Sequence, residues 1–166
     1  MVIFDPSLHS VQVFLTAHVQ LGEVLDELLQ YTGRARLTVS TFSTGEEFLR
    51  KLHRIREKRL ITHATLYCDH KAAEKTARIY PMLTAVYDEV KFCPNHSKVM
   101  IIEGTKETVV VMTSQNQTRG NRLENYTILK GEGIAPTLLG ILNELETFEP
   151  PWSKNNEIKS SNSSTI

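Results

Sequence analysis

Residues 95 to 103 read Asn95-His-Ser-Lys-Val-Met-Ile-Ile-Glu103, and two more polar groups follow: Thr113-Ser-Gln-Asn116 and Arg122-Leu-Glu-Asn125. These segments read as three neighbouring strands carrying His96, Lys98, Ser114, Asn116 and Glu124. Those side-chain types are sufficient for attack on a phosphodiester without a metal. A histidine can be a nucleophile or a general acid. A lysine and an asparagine can hold the non-bridging oxygens, and a carboxylate can orient the histidine. On a strand, side chains alternate between faces, so His96 and Lys98 are expected to share one face and Glu103 to point to the other. Ser114 and Asn116 share a face where the backbone stays extended. Lys98 adjoins the apolar run Val99-Met-Ile-Ile102 and therefore needs an anionic partner or a route to solvent.

His96-x-Lys98, followed four residues on by Glu103, resembles the H-x-K-x4-D signature of the phospholipase D superfamily. Ser114 and Asn116 resemble the GSxN element that follows it there, and Glu124 stands where that family often has a further acid. Two positions depart from the pattern: Glu103 replaces the aspartate, and Thr113 replaces the small glycine before the serine. The resemblance covers residues 34 to 147 in outline and 95 to 130 in detail. It extends to the small bacterial endonucleases of the superfamily, which carry a single copy of the motif.

That resemblance implies an α/β single domain with a mixed sheet flanked by helices. It implies His96, Lys98, Asn116 and Glu124 as catalytic residues, Ser114 as a substrate contact and Glu103 as support for the motif. The family chemistry uses two histidines, so a chain with one motif implies a homodimer whose site is shared across a twofold axis. Nucleic acid is then the expected substrate, by family analogy. Two alternatives stay open. Glu103 motivates a nucleic-acid-binding module that keeps the phosphate pocket without turnover. A lipid phosphodiesterase is the other, weakened by the lack of an obvious apolar surface helix or lipid anchor.

The bulk of the chain sets wider limits. Its 166 residues suit one domain with an adequate core. The net charge is zero, so the totals do not point to a strongly cationic binder. The charge is unevenly placed, with Arg50, Lys51, Arg54, Arg56, Lys58 and Arg59 close together. They form either a solvated helix face or a phosphate-binding surface. Arg119 and Arg122, near Asn116, are either substrate contacts or surface arginines. Cys68 and Cys93 are expected as buried free thiols. No histidine or cysteine set has zinc spacing and no carboxylates pair for magnesium, so no metal or cofactor is expected. With no signal peptide and no spanning stretch, the expectation is a soluble cytoplasmic protein.

The elements that must position these residues are legible in outline. Residues 1 to 17 fit a strand or a helix equally, within an N-terminal segment of helical character to about residue 33. The stripe Val19, Leu21, Val24, Leu25, Leu28, Leu29 predicts a helix stopped by Gly33. Residues 36 to 42 read as a strand. Thr44 and Glu47 predict a capping box opening a helix with Phe48, Leu49, Leu52 and Ile55 inward. Strands are expected at 64–69, 89–93, 99–103, 108–113 and 125–129. Helices are expected at 72–79, interrupted near Pro81, and at 134–145. The domain is expected to span 1–152. Residues 153–166, rich in serine, asparagine and lysine, are expected to be a disordered tail.

Overall fold

The structure, a computed structural model, describes residues 9–150. Seven strands form one sheet: β1 (Val11–Thr16), β2 (Ala35–Thr41), β3 (Ile61–Asp69), β4 (Glu89–Cys93), β5 (Val99–Gly104), β6 (Thr108–Thr113) and β7 (Glu124–Lys130). Their spatial order is β1-β7-β6-β5-β2-β3-β4. The helices are α1 (Leu21–Thr32), α2 (Glu46–Glu57), α3 (Ala73–Thr76), α4 (Tyr80–Val86) and α5 (Ala135–Asn143). β2, β3 and β4 are parallel neighbours. Parallel pairing requires crossover connections, and α2 and the α3–α4 segment lie within them. β5, β6, β7 and β1 pair antiparallel, and β5 also joins β2 antiparallel. The sheet is therefore mixed and helix-flanked, as expected, with β5 fourth of seven.

Side-chain alternation divides the core between the two faces of the sheet. Met100 and Ile102 of β5 join Leu25, Leu28 and Leu29 of α1 and Leu49, Leu52 and Ile55 of α2 on one face. Val99 and Ile101 join Val110 and Tyr67 beneath Ala135 and Leu142 of α5 on the other. Each fully buried leucine contributes roughly 1.5–3 kcal/mol of hydrophobic free energy. The α1 stripe is thus a large share of what holds that layer. α1 stops as expected at Gly33, whose φ of +74° lies in the region that favours glycine. At Gly104, which ends β5, a Cβ would come within 2.3 Å of the Thr32 carbonyl oxygen. Only glycine permits the α1 terminus to approach the strand so closely.

Three local expectations change. Residues 11–16 form a strand, so helical character begins only at Leu21. Val11, Val13 and Leu15 are exposed while Phe14 stacks on Tyr126 at 5.0 Å. The Thr44–Glu47 capping box does not form. α2 begins at Glu46 behind Gly45, and Thr44 instead bridges to Gln117. The 72–79 helix is broken into a short α3 between two 3₁₀ turns. Cys68 and Cys93 are buried free thiols, and burial pushes the Cys68 thiol up to about 12. The tail at 153–166 and both ends of the expected 1–152 domain lie outside the described residues. Among the described residues, no helix is long and apolar enough to cross a membrane.

Candidate active site

His96 and Lys98 were expected on a strand but lie in the extended lead-in to β5, which starts at Val99. A buried asparagine fixes this lead-in. Asn95 Nδ2 donates to Ser40 Oγ (2.8 Å) and to the Tyr67 carbonyl (3.1 Å). Asn95 Oδ1 accepts from the Ser97 backbone N–H (2.9 Å) and hydroxyl (2.7 Å), and its own N–H donates to buried Asp69 (2.8 Å). With residues 95 and 97 tied down, the flanking side chains turn outward. The His96 ring is exposed and lies 5.1 Å from the Phe42 ring. Lys98 Nζ donates to the His96 carbonyl (2.8 Å) and lies 3.4 Å from His96 Nδ1. The two side chains meet, as their spacing predicts.

The segment after β6 is held in the same way. Ser114 and Thr118 are exposed and Asn116 is half-buried, whereas Gln115 and Gln117 between them are buried. Gln115 Oε1 accepts from the Leu21 N–H (2.8 Å) and the Tyr126 hydroxyl (2.5 Å). Gln117 Nε2 donates to the Tyr87 hydroxyl (3.0 Å), and the Gln117 N–H donates to the Ser43 carbonyl (3.1 Å). Two buried glutamines therefore root the loop, and the alternation turns Ser114 and Asn116 to the opposite side. Asn116 Oδ1 accepts a long bond from Thr41 Oγ1 (3.5 Å), at the end of β2 next to Phe42. His96 and Asn116 thus flank one corner. The Thr113 N–H donates to the Lys98 carbonyl (3.0 Å), which sets the two segments side by side.

Glu124 opens β7 beside them. Its carboxylate accepts from the Ser114 hydroxyl, and the Asn125 N–H donates to Ser114 Oγ (3.1 Å). The bond from Glu124 goes to the serine, not to His96. Glu124 acts on the lysine instead. Partial burial depresses the Lys98 pKa, and the Glu124 charge partly offsets that. An ammonium that has lost some of its hydration and has only partial compensation is a ready ligand for an anion. Among the described residues, no group of three His, Cys, Asp or Glu side chains is arranged to hold a metal ion.

The outer residues divide. Arg119 is exposed and 3.5 Å from Glu47, and Arg122 is exposed in the same loop. Glu103 lies on the other face of the sheet, as alternation predicts. It lines a separate cavity of about 290 Å³ with Arg36, Lys91 and Tyr67. It stands near the end of β5, whereas His96 lies before the strand's start. The basic run of α2 is largely matched by acids: Arg50 with Glu46, Lys51 and Lys58 with Asp26, and Arg56 with Asp88. A groove of about 260 Å³ runs between the start of α1, α2 and residues 115–119, with Asn116 in its wall. Asn95, Gln115 and Gln117 are not singled out by sequence reasoning. The one available signal is their alternation with the site residues.

No protein-family model and no curated protein matches the sequence. Solved structures do. Polyphosphate kinase from Porphyromonas gingivalis superposes with a TM-score of 0.55 at 13% identity, over 80% of this chain and 22% of that one. Phosphatidylserine synthase from Haemophilus influenzae Rd KW20 gives 0.54 at 11% identity, over 81% of this chain and 36% of that one. TrmBL2, an archaeal chromatin protein, gives 0.46 at 8% identity over 88% of this chain and 57% of that one, too low to carry an argument. The chain spans well under half the length of the first two. At such identities the likeness is one of fold: this chain shares the mixed α/β architecture of those two structures.

Proposed function

We propose that this chain is a metal-independent phosphodiesterase that works through a phosphohistidine at a homodimer interface, with nucleic acid as substrate. The observation that carries the reading is the convergence of His96, Lys98, Ser114, Asn116 and Glu124. They come from the ends of three adjacent strands onto one corner, where buried Asn95, Gln115 and Gln117 anchor the segments that carry His96, Lys98, Ser114 and Asn116. The fold adds support, because two structures of the same architecture are named for phosphoryl-group enzymes.

In the proposed reaction, His96 Nε2 attacks phosphorus and the bond to the leaving oxygen breaks. The partner subunit's His96, protonated, gives its proton to that oxygen. Water then attacks the phosphohistidine, the partner subunit's His96 takes the water's proton, and the P–N bond breaks. Attack through Nε2 requires the proton on Nδ1, yet Lys98 Nζ lies 3.4 Å from Nδ1. The lysine must therefore swing onto a phosphate oxygen as substrate arrives. Asn116 holds a second oxygen, and Ser114 holds the third once its hydroxyl turns from Glu124 to the phosphate. Leu15, Met112 and Leu123 are exposed apolar side chains beside this corner, and they supply a surface for the second subunit.

The test is hydrolysis of an aryl phosphodiester by purified protein. Turnover should survive excess EDTA and vanish in His96→Ala, which should remain folded. A His96→Ala protein that keeps most of the wild-type rate would sink the assignment.

A further inference from the structure

The groove beside Asn116 offers a place for a second anion. It is lined by Lys51 and Arg54 of α2, by Arg119, and by Gln20 to Glu23 at the start of the twelve-residue α1. Two carboxylates also line it. Glu23 is spent on the Gln20 N–H (2.9 Å), and Glu47 stands 3.5 Å from Arg119. Lys51 is held by Asp26 at 2.7 Å. Arg54 has no carboxylate within ion-pair reach among the described residues, although most of the basic run around it is paired. The Arg119–Glu47 pair is exposed, at 71% and 58%, so an entering phosphate can displace the glutamate at little cost. Arg54 and Arg119 thus approach one groove from different elements, and the α1 N-terminus adds its positive end. Asn116 belongs to this wall and to the corner shared with Thr41 and Phe42.

We infer that this groove is a subsite for the phosphate next to the reacting one, held by Arg54 and Arg119. The inference rests on the phosphodiesterase reading and narrows it. The substrate is a chain with repeated phosphates, a polynucleotide, and not an isolated diester or a lipid with a single phosphate. Guanidinium groups suit this task, since their planar fork matches two phosphate oxygens at once. The register follows from the shared wall: a chain lying across Asn116 places one phosphate at His96 and its neighbour in the groove.

The test compares two small substrates. One is a thymidine dinucleotide with a single phosphodiester. The other is the same dinucleotide carrying a terminal phosphate, on the 5′ or the 3′ end. The wild type should prefer the phosphorylated form in kcat/KM by about tenfold, the low end for hydrogen bonds to a charged group. Arg54→Gln should remove most of that preference. Glu47→Gln, which frees Arg119, should increase it. Lys106→Gln, at the far β5–β6 turn, should leave the preference in place. Equal rates on both dinucleotides by the wild type would overturn the subsite while leaving the phosphodiesterase standing. A drop with Lys106→Gln as large as with Arg54→Gln would overturn it too, since only a long-range field would remain. If neither dinucleotide nor an aryl phosphodiester is cleaved, the phosphodiesterase reading fails. The subsite is then judged from equilibrium binding of the two dinucleotides, where equal affinities overturn it.

Discussion

Replacing Asn95 by alanine tests whether a buried neutral amide positions the reacting histidine. The asparagine is 6% exposed. Its side chain donates to Ser40 and to the Tyr67 carbonyl, and accepts twice from Ser97. Alanine leaves the Ser97 N–H and the Tyr67 carbonyl without these partners, while the Ser40–Ser97 hydroxyl contact at 2.5 Å survives. At about 1–3 kcal/mol for each group left unpaired, the expected loss is about 2–6 kcal/mol of folding stability. The effect on turnover is separate. Without the Oδ1 tether, residues 96 to 98 move relative to Asn116, and a displacement of about 1 Å at a reacting group costs on the order of a hundredfold in rate. Urea unfolding reads the first quantity. Hydrolysis of an aryl phosphodiester, well below the unfolding midpoint, reads the second as a fall in kcat with little change in KM. Asn95→Asp keeps both acceptors for Ser97, so it should recover part of kcat while remaining unstable, because it adds a charge close to Asp69. An alanine variant with stability within about 0.5 kcal/mol of wild type and kcat within about twofold would refute the reasoning, since surface-like substitutions fall in that range.

Three further outcomes follow from other parts of the molecule. Sedimentation at micromolar concentration should show a dimer. An equal mixture of wild type and His96→Ala, allowed to exchange, should keep about a quarter of the activity, because only that share of randomly paired dimers has both histidines; half would mean independent sites. Arg56, bonded to Asp88 at 2.8 Å and 3.1 Å, is the main cause that lowers the Asp88 carboxyl from 3.8 to about 2. A lowered folded-state pKa stabilises fully above the unfolded value and is lost as pH falls from about 4 towards 2. The full shift would correspond to about 2.5 kcal/mol, and the 36% exposure of the carboxylate reduces that to about 1 kcal/mol. The stability gap between wild type and Asp88→Asn, measured in urea, should shrink by most of that amount between about pH 6 and about pH 2.5, and an unchanged gap would dismiss the clamp. Gly104→Ala puts a Cβ against the backbone of Thr32 and Glu107, so it should cost more than about 2 kcal/mol by overpacking, read as a lowered Tm; a neutral substitution would show that the α1 terminus can yield.

The reach of the sequence depended on how local each signal was. α1 and α2 were legible because their buried leucines recur at helical spacing within one short segment. His96, Lys98, Ser114, Asn116 and Glu124 were legible because neighbouring antiparallel strands bring nearby sequence together. The supports were not. Gln115 is bonded to Leu21, ninety-four positions away, and Asn95 to Ser40, fifty-five away, and a buried amide carries no mark of its distant partner. The acids Asp26 and Asp88, which pair with Lys51, Lys58 and Arg56, lie 25 to 32 positions away. β1 was ambiguous for another reason. Its aliphatic residues alternate as in a strand, but Phe14 rather than those three side chains faces the core, so hydrophobic alternation alone does not mark the inward face.

The arrangement of buried and exposed contacts has a consequence for how a substrate would be received. The supports of the corner are buried: Asn95, Gln115, Gln117 and Asp69 are each under a tenth exposed. Buried hydrogen bonds are expensive to break, since their groups have no water to turn to. The contacts among the outward groups are of another kind. Lys98 rests on the His96 carbonyl, Ser114 on Glu124, and Asn116 on a 3.5 Å bond from Thr41. The first two are exposed and the third is long, so each can be exchanged for a phosphate oxygen at small cost. The frame therefore stays fixed while the inner contacts turn over. Lys98 matters most in this exchange, because it already lacks part of its hydration. Moving it from the His96 carbonyl to a phosphate gains charge pairing and also frees Nδ1 to hold the proton. In the proposed reaction, binding and activation of the histidine then become one event, driven by the substrate's own charge.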